Sequence, residues 1–509
     1  MAAEFWLPAG AGLLAVLAGA LGLEACLVPR PRWRGRPRAA WAAHTGICLL
    51  LYGLELVLFQ RAYFGAAMAL ASLLLLVVVS RVKTAMLREP FLFQDFEYFT
   101  DLLRHPRLYL PFFGVGKALA GLAAFLAALG LGLALEPGLL RRGGGADGLA
   151  LLALLALLAG TGAWLLRYAA ARPLGLSFEP GADLKRLGLL GFLWGYGLAE
   201  RAPPPAAGPF AGPARAPQSP ARPHVVAVQS ESFFDARRLY PGVSPRVMAE
   251  FDRLGLAAQR RGLLAVPAWG ANTVRTEFAF LSGLPAQALG VHRFNPYRRL
   301  AGSLPTLAAY LRGLGYRTVC VHPYPASFYR RDRVYPRLGF DEFIDIASFD
   351  DGDRFGPYVG DEAVGRAVRR RLENADGPLF VFAITMENHG PLHWESVAAD
   401  DEARLYRTPP PPGFDDLTVY LRHVENAGRM LAEIRDALET GPRDGGLCWY
   451  GDHVPIMPKV YADTGFADGR TDYFLWRRGG APAAQAPDDL RAEDLAAALL
   501  DAMGLARGR

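Results

Sequence analysis

The sequence predicts two architectures in series. A multi-span α-helical membrane domain occupies residues 1–200, a Pro-rich linker follows at 201–223, and residues 224–509 form an α/β domain whose largely parallel sheet is covered by helices on both faces. Three observations predict this. Runs of Leu, Ala, Gly and Val dominate up to about residue 200 and then stop. Residues 202–223 read APPPAAGPFAGPARAPQSPARP, too rich in proline to pack as a regular element. Beyond them, short apolar runs rich in β-branched and aromatic residues alternate with helical stretches. At 509 residues the chain also exceeds one ordinary domain.

Five stretches reach the roughly 20 apolar residues that a bilayer crossing needs: 8–28, 40–59, 62–80, 110–135 and 149–168. The first lacks a short hydrophobic region followed by a small-residue cleavage site, so it reads as a retained anchor. Between the third and fourth spans, REPFLFQDFEYFTDLLRHPRLYLP mixes aromatic, acidic and basic residues as an interfacial helix does. The net charge of +6 does not imply nucleic acid, because much of the arginine sits in short segments between apolar runs. The loop after the first span carries Arg30, Arg32, Arg34, Arg36 and Arg38, and the loop after the third carries Arg81, Lys83, Arg88, Arg104 and Arg107. Charge asymmetry therefore places both loops in the cytoplasm and the N-terminus outside. Five crossings would then leave the C-terminal half inside. The apolar run LGLLGFLWGYGLA at 187–199, between Lys185–Arg186 and the interface-favouring Trp194 and Tyr196, is expected to be membrane-embedded and to supply a short sixth crossing. The rival solution keeps five crossings with the N-terminus inside. Four cysteines without C-x-x-C spacing give no zinc or redox signature, and Cys320 and Cys448 fall in core strands as free thiols.

In the C-terminal half, strands are predicted at 224–230, 317–322, 378–385, 446–451 and 472–476, and helices near 244–259, 303–314, 361–374, 414–440 and 490–504. Continuous apolar strands with long crossovers imply a parallel sheet buried on both faces. Ligands of such sheets collect at the carboxyl ends of the strands. Glu231 follows the first strand, His389 and His393 the third, and the adjacent pair Asp452-His453 the fourth. Thr273 lies in GANTVRTEF, in a Gly-containing turn before an apolar helix. Two carboxylates, a hydroxyl and an imidazole suit one divalent ion, Mn, Mg or Zn, and the carboxylate richness favours Mn or Mg.

QSESF, GANTVRTEF, SFYRRDRVYPRLGFD, the NHGP segment and YGDH stand in an order and spacing that resemble the lipoteichoic acid synthase and phosphoglycerol transferase branch of the alkaline phosphatase/sulfatase superfamily. The resemblance covers about 224–505. It implies an alkaline-phosphatase-like fold with Glu231, Thr273, Asp452 and His453 as metal ligands and Thr273 as the nucleophile. It also implies that Arg331, Tyr329 and His389 bind the phosphoglycerol group. Tyr329 stands where these synthases usually have Trp, and Tyr324 where they have an acid.

The function this implies is a membrane-anchored phosphoglycerol transferase with its catalytic half outside the cytoplasm of a bacterial inner membrane. It would move glycerol phosphate from phosphatidylglycerol, or a similar phospholipid, to an envelope glycan through a covalent Thr273 intermediate. Metal coordination activates a poor threonine nucleophile, and a guanidinium at Arg331 suits a phosphate oxygen. The alternatives are a phosphoethanolamine transferase, a phosphodiesterase or sulfatase-like hydrolase, and a non-catalytic membrane scaffold. A true sulfatase lacks support, because no C/S-x-P-x-R signature surrounds Thr273.

Overall fold

A computed structural model describes residues 2–97, 115–140, 145–203, 208–211, 222–299, 304–482 and 487–505. The chain divides into two compact units, Met1–Pro203 and Pro204–Arg509. Most of the expected Pro-rich linker lies outside the described residues.

The first unit is built from α1 (Ala2–Glu24), α2 (Arg38–Phe59), α3 (Ala62–Leu87), α4 (Val115–Leu135) and α5 (Gly145–Ala170). Four helical stretches are long and apolar enough to cross a membrane: Glu4–Glu24, Arg38–Phe59, Ala62–Leu87 and Ala146–Ala170. The span expected at 110–135 corresponds to α4. Its residues 110–114 lie outside the described ones, and its apolar part, Leu119–Leu135, is shorter than the other four. The expected interfacial helix also falls mostly outside them, apart from the single turn Phe93–Glu97.

Packing fixes the helix directions. Gly12 lies against Ala62 and Gly19 against Leu70, so α1 and α3 run parallel. Just past the end of α1, the Cys26 carbonyl accepts from Arg81 near the end of α3 at 3.2 Å. Where α2 meets α5 antiparallel, a Cβ on Gly46 or Gly162 would stand 3.0–3.1 Å from the other's carbonyl oxygen. Only small residues permit that approach. Glu136, just past α4, accepts from the backbone amides of Tyr63 and Phe64 at the start of α3.

The next two helices are α6 (Pro180–Leu187) and α7 (Leu189–Ala199), the second covering the apolar run expected as a short sixth crossing. The 11 residues of α7 rise roughly 17 Å, against roughly 30 Å of hydrocarbon. Both its ends are held at one end of the bundle. The Leu189 amide donates to Glu24, the last residue of α1, at 2.8 Å. At the other end Glu200 accepts from Gln94, just past α3, at 2.9 Å. Leu189–Leu193, Gly195 and Tyr196 are buried. An all-round apolar helix is satisfied by burial in protein as well as by lipid, and protein covers most of α7.

The second unit carries an eight-stranded sheet in the order β10-β2-β9-β8-β1-β7-β3-β4. Its strands are β1 (His224–Ser230), β2 (Arg260–Ala265), β3 (Arg317–Val321), β4 (Glu342–Ile344), β7 (Leu379–Ile384), β8 (Gly445–Gly451), β9 (Thr471–Arg477) and β10 (Leu490–Arg491), while β5 (Arg354–Phe355) and β6 (Tyr358–Val359) form a separate hairpin. From β8 to β4 every neighbour is parallel, and β9 runs antiparallel to both β8 and β2. Successive residues face opposite cores. Val226, Val228, Val381 and Trp449 pack beneath α12 (Asp361–Glu373) and α13 (Asp415–Thr440). On the other side, Val225, Ala227, Phe382 and Tyr450 pack against α9 (Thr273–Ser282), α10 (Leu307–Gly313) and α14 (Ala492–Ala502). A second layer on each face is what continuous apolar strands require. The remaining longer helices are α8 (Ala249–Ala257) and α11 (Arg331–Leu338). Cys48, Cys320 and Cys448 are buried free thiols, and Cys26 is an exposed one.

His224 opens β1, and its Nδ1 lies 3.3 Å from the Leu379 amide, which donates to it. Burial, aided by Arg443, pushes its pKa down to about 4. The unfolded chain takes up this proton near pH 6.5. The contribution of a neutral His224 is therefore complete above about pH 6.5 and is lost as pH falls from there towards 4. Melting of the full-length protein in detergent should show a gap between wild type and His224→Asn that narrows through that window. A gap that widens on acidification would contradict a neutral imidazole.

Candidate active site and metal centre

Parallel strands bring the site together. Ser230 of β1 sits in register with Gly451 of β8, and Gln229 with Ile384 of β7. The residues that follow, Glu231, Asp452 and Thr385, therefore emerge side by side at one edge. The chain turns sharply there. Ser232 adopts φ +56, and a Cβ on Gly451 would stand 1.8 Å from the Phe233 carbonyl oxygen. Only glycine lets this turn cross the end of β8.

Glu231, Asp452 and His453 are buried, and among the described residues they are the group whose ligand atoms lie within 4.8 Å of one another. His453 Nε2 stands 3.3 Å from Asp452, 3.6 Å from Glu231 and 3.5 Å from Thr273 Oγ1. Its Nδ1 faces the Val454 carbonyl at 3.1 Å. A proton on Nδ1 leaves the Nε2 lone pair facing the other three side chains, the arrangement of a histidine ligand. Thr273 is the first residue of α9, and Asn272 before it is left-handed at φ +68. Thr276, one turn on, donates to the Asp452 carbonyl at 2.7 Å.

The electrostatics ask for a cation. Burial first, and the neighbouring Asp452 second, push the Glu231 carboxyl well above its usual range, with the Ser232 hydroxyl partly opposing. Asp452 Oδ2 is buried and accepts no hydrogen bond among the described residues. The 3.3–3.6 Å spacings are close to the about 3.0–3.5 Å edges of a coordination shell with bonds near 2.1 Å. The residues present therefore fit one divalent ion: Glu231, Asp452 and His453 could hold it, with Thr273 Oγ1 beside them.

The three residues assigned to the phosphoglycerol group are placed differently. His389 is half-buried, with Nδ1 2.8 Å from the Gly390 carbonyl and 3.2 Å from the Tyr358 hydroxyl. Burial, with His453 adding and the Gly390 carbonyl opposing, pushes its pKa down to about 4, so it is neutral at neutral pH. Tyr329 is half-buried in a left-handed conformation, φ +53, with the Arg331 guanidinium 5.2 Å from its ring centre. Arg331 itself is 1% exposed. Its fork engages Glu277, Nη2 donating at 2.7 Å and Nε at 3.4 Å, and its Nη1 meets His322 at 3.2 Å. The guanidinium expected at the phosphoglycerol group is thus paired with the buried Glu277 carboxylate.

Sequence reasoning missed Ser232, Thr276 and Glu277. Glu277 carried a signal: an acid four residues after Thr273, in an otherwise apolar helix, lies on the same face and needs a buried partner.

A relative from Rhizobium meliloti (strain 1021), the capsular polysaccharide biosynthesis protein RkpI, is 34% identical over 277 residues, 53% of this chain and 48% of its own length. The chain thus spans about half the length of that relative. The phosphoglycerol transferase GacH from Streptococcus pyogenes, solved with sn-glycerol-1-phosphate, is 23% identical with a TM-score of 0.47 over 56% of this chain and 75% of its own. The integral membrane lipooligosaccharide phosphoethanolamine transferase A (EptA) from Neisseria meningitidis is 12% identical with a TM-score of 0.57, covering 98% of this chain and 95% of its own, a likeness of fold. The sulfatase family profile matches residues 223–505, more than half of the chain, so the protein belongs to the sulfatase family of the alkaline phosphatase superfamily.

Proposed function

We propose that the chain is a membrane-bound phosphoglycerol transferase. Thr273 Oγ1 attacks the phosphorus of phosphatidylglycerol, and the bond to the diacylglycerol oxygen breaks. An envelope glycan hydroxyl then displaces Thr273 from the phosphoglycerol adduct. The observation that carries this reading is the convergence of Thr273 on His453 Nε2 beside two buried carboxylates. A bound divalent ion, with Mn favoured, would lower the pKa of the threonine hydroxyl and offset charge on the phosphoryl oxygens. The neutral His389 is suited to accept a hydrogen bond from a glycerol hydroxyl. The capsular polysaccharide role in the name of the Rhizobium relative supports a glycan acceptor.

The reading extends to the membrane. Five crossings by α1–α5 put the end of α1, the start of α2, the end of α3 and both ends of α7 on one side, where the chain leaves the first unit. For a lipid donor and an envelope acceptor that side is extracytoplasmic, and the N-terminus is cytoplasmic. The charge rule opposes this, but much of the charge there is engaged. Arg36 pairs with Glu24, Lys83 with Glu89 and Asp95, and Arg186 with the Leu174 and Gly175 carbonyls. A reporter active only outside the cytoplasm should be active when fused after residue 36 or 210, and inactive after 60 or 140. Opposite results at 36 and 210 would remove the five-crossing arrangement.

Metal binding should appear as stabilisation. At about 100 times its Kd, an ion that binds only the folded state adds about 2.7 kcal/mol, so Mn2+ raises the melting temperature of wild type and not of Glu231→Gln or Asp452→Asn. Without metal, Glu231→Gln should melt no lower than wild type, because it removes one of two repelling carboxylates.

The nucleophile is tested by mass spectrometry of Thr273 after incubation with defined phospholipids. A phosphoglycerol adduct is expected on wild type, and Thr273→Ala should fold normally yet neither form adduct nor turn over. A phosphoethanolamine adduct would replace the donor, and turnover by Thr273→Ala would overturn the nucleophile.

A further inference from the structure

The loop between α1 and α2 carries Arg30, Arg32, Arg34 and Arg36, and Arg38 opens α2. Like charges this close repel one another, and the bundle neutralises one of them. The Arg36 side chain turns inward, fully buried, to Glu24 at 2.7 Å. Arg30, Arg32, Arg34 and Arg38 are exposed, and among the described residues none of them makes an ion pair. The loop that presents them is held in place. Its Arg32 amide donates to the Lys185 carbonyl at 2.8 Å, Pro29 lies against Gly181 of α6, and Arg36 fastens the far end to α1. The carboxylates beside it face inward: Glu24 is 2% exposed and Asp183 1%. Trp33 stands 49% exposed between the arginines, and Val28 is 51% exposed just before them. Tryptophan and arginine sharing one pinned loop at the end of an apolar bundle sit at the depth of lipid headgroups.

We propose that this loop is a capture site for anionic phospholipid headgroups, and that it gathers the donor lipid in the leaflet the enzyme draws on. The inference rests on the reading above, in which the donor is a phospholipid and this end of the bundle is extracytoplasmic. Membrane insertion does not account for the four free guanidinia, since the positive-inside bias acts against exporting them. Each arginine near a membrane surface attracts a singly charged lipid, and two acting on one headgroup favour it about 30-fold over a zwitterionic neighbour. A guanidinium fork also meets two phosphate oxygens at once. Zwitterionic lipids offer those oxygens too, so the discrimination is one of net charge. The exposed Trp33 favours a lipid over an anionic glycan as the occupant, because an amphipathic ring gains most where apolar and polar media meet.

The test reconstitutes the full-length protein in phosphatidylcholine bilayers and measures association of spin-labelled phosphatidylglycerol or phosphatidylcholine. The tightest sites of wild type should prefer phosphatidylglycerol about 30-fold. Combining Arg30→Gln, Arg32→Gln, Arg34→Gln and Arg38→Gln should abolish that preference, and the matching lysine variant should keep it. Equal preference in wild type and the glutamine variant would overturn the proposal. Removing arginines from an exported loop runs with the charge rule, so the variant keeps its orientation. Wild type alone gives a second measure. Raising salt from about 10 mM to about 1 M shortens the screening length from about 30 to about 3 Å and should erase the preference; persistence would overturn the proposal without any variant. With phosphatidylglycerol diluted in phosphatidylcholine, the glutamine variant should form the Thr273 adduct more slowly and catch up as phosphatidylglycerol saturates. A deficit equal at every dilution would make the loop merely structural. Soluble hyaluronate bound through these arginines, with no lipid preference, would assign the surface to an anionic glycan and overturn the proposal, as would a cytoplasmic reporter result at residue 36. A wild type that forms no Thr273 adduct, with the lipid preference as expected, would fail the transferase reading and leave the capture site standing.

Discussion

Glu231 and Asp452 end adjacent parallel strands whose register brings them side by side, out of water. Two like charges about 4 Å apart repel by about 4 kcal/mol even at an effective dielectric of 20, and burial adds to that. The surroundings answer this repulsion. The Ser232 amide donates to Asp452 at 2.9 Å and its hydroxyl to Glu231 at 3.0 Å, from a left-handed backbone that few non-glycine residues adopt. With Nδ1 directed at the Val454 carbonyl, His453 turns Nε2 towards both carboxylates. Gly451 exists as glycine so that the turn can pass. The strained conformation at Ser232 is of the kind that functional sites retain because the structure around them fixes it.

The elements legible in the sequence are those whose burial is uniform. β1, β7 and β8 are apolar along their length because both faces are covered, and the residues just past them were the ones to inspect. β2, β4 and β10 were not legible. RRGLLA, EFI and LR are short and partly polar, since strands toward the margins of the sheet are covered less completely. The helix α7 was ambiguous for the opposite reason. Its apolar surface is continuous, and composition cannot distinguish lipid from protein as the covering; only its length of 11 residues could. Arg331 was assigned by resemblance to the phosphoglycerol group, and its buried pairing with Glu277, 54 residues away in the chain, was not legible.

The membrane unit follows the same physics. Glu24 at the end of α1 takes Arg36 at 2.7 Å, His44 at 3.2 Å and the Leu189 amide at 2.8 Å. One carboxylate thus joins α1, the following loop, α2 and the start of α7. Asp183 plays a similar part for the next segment, accepting from the Ser177 and Phe178 amides and the Tyr196 hydroxyl. Buried acids organise the bases around them, so part of the arginine count on that side of the bundle is already paired: Arg36 neutralises Glu24.

The charge balance of the catalytic site also constrains what it can hold. Arg331 and Glu277 cancel each other in the core. His322 and His389 are kept neutral by burial, their pKa values pushed down. A divalent ion would offset the two carboxylates, Glu231 and Asp452, leaving the loaded centre close to neutral. A phosphodiester brings a single negative charge, while a phosphomonoester at neutral pH carries nearly two. The fork of Arg331 is engaged by Glu277, so its charge is largely cancelled where it would meet the extra one. The Arg331–Glu277 pairing therefore lowers the positive potential at the site, a charge balance that suits the phosphodiester donor proposed above better than a phosphomonoester.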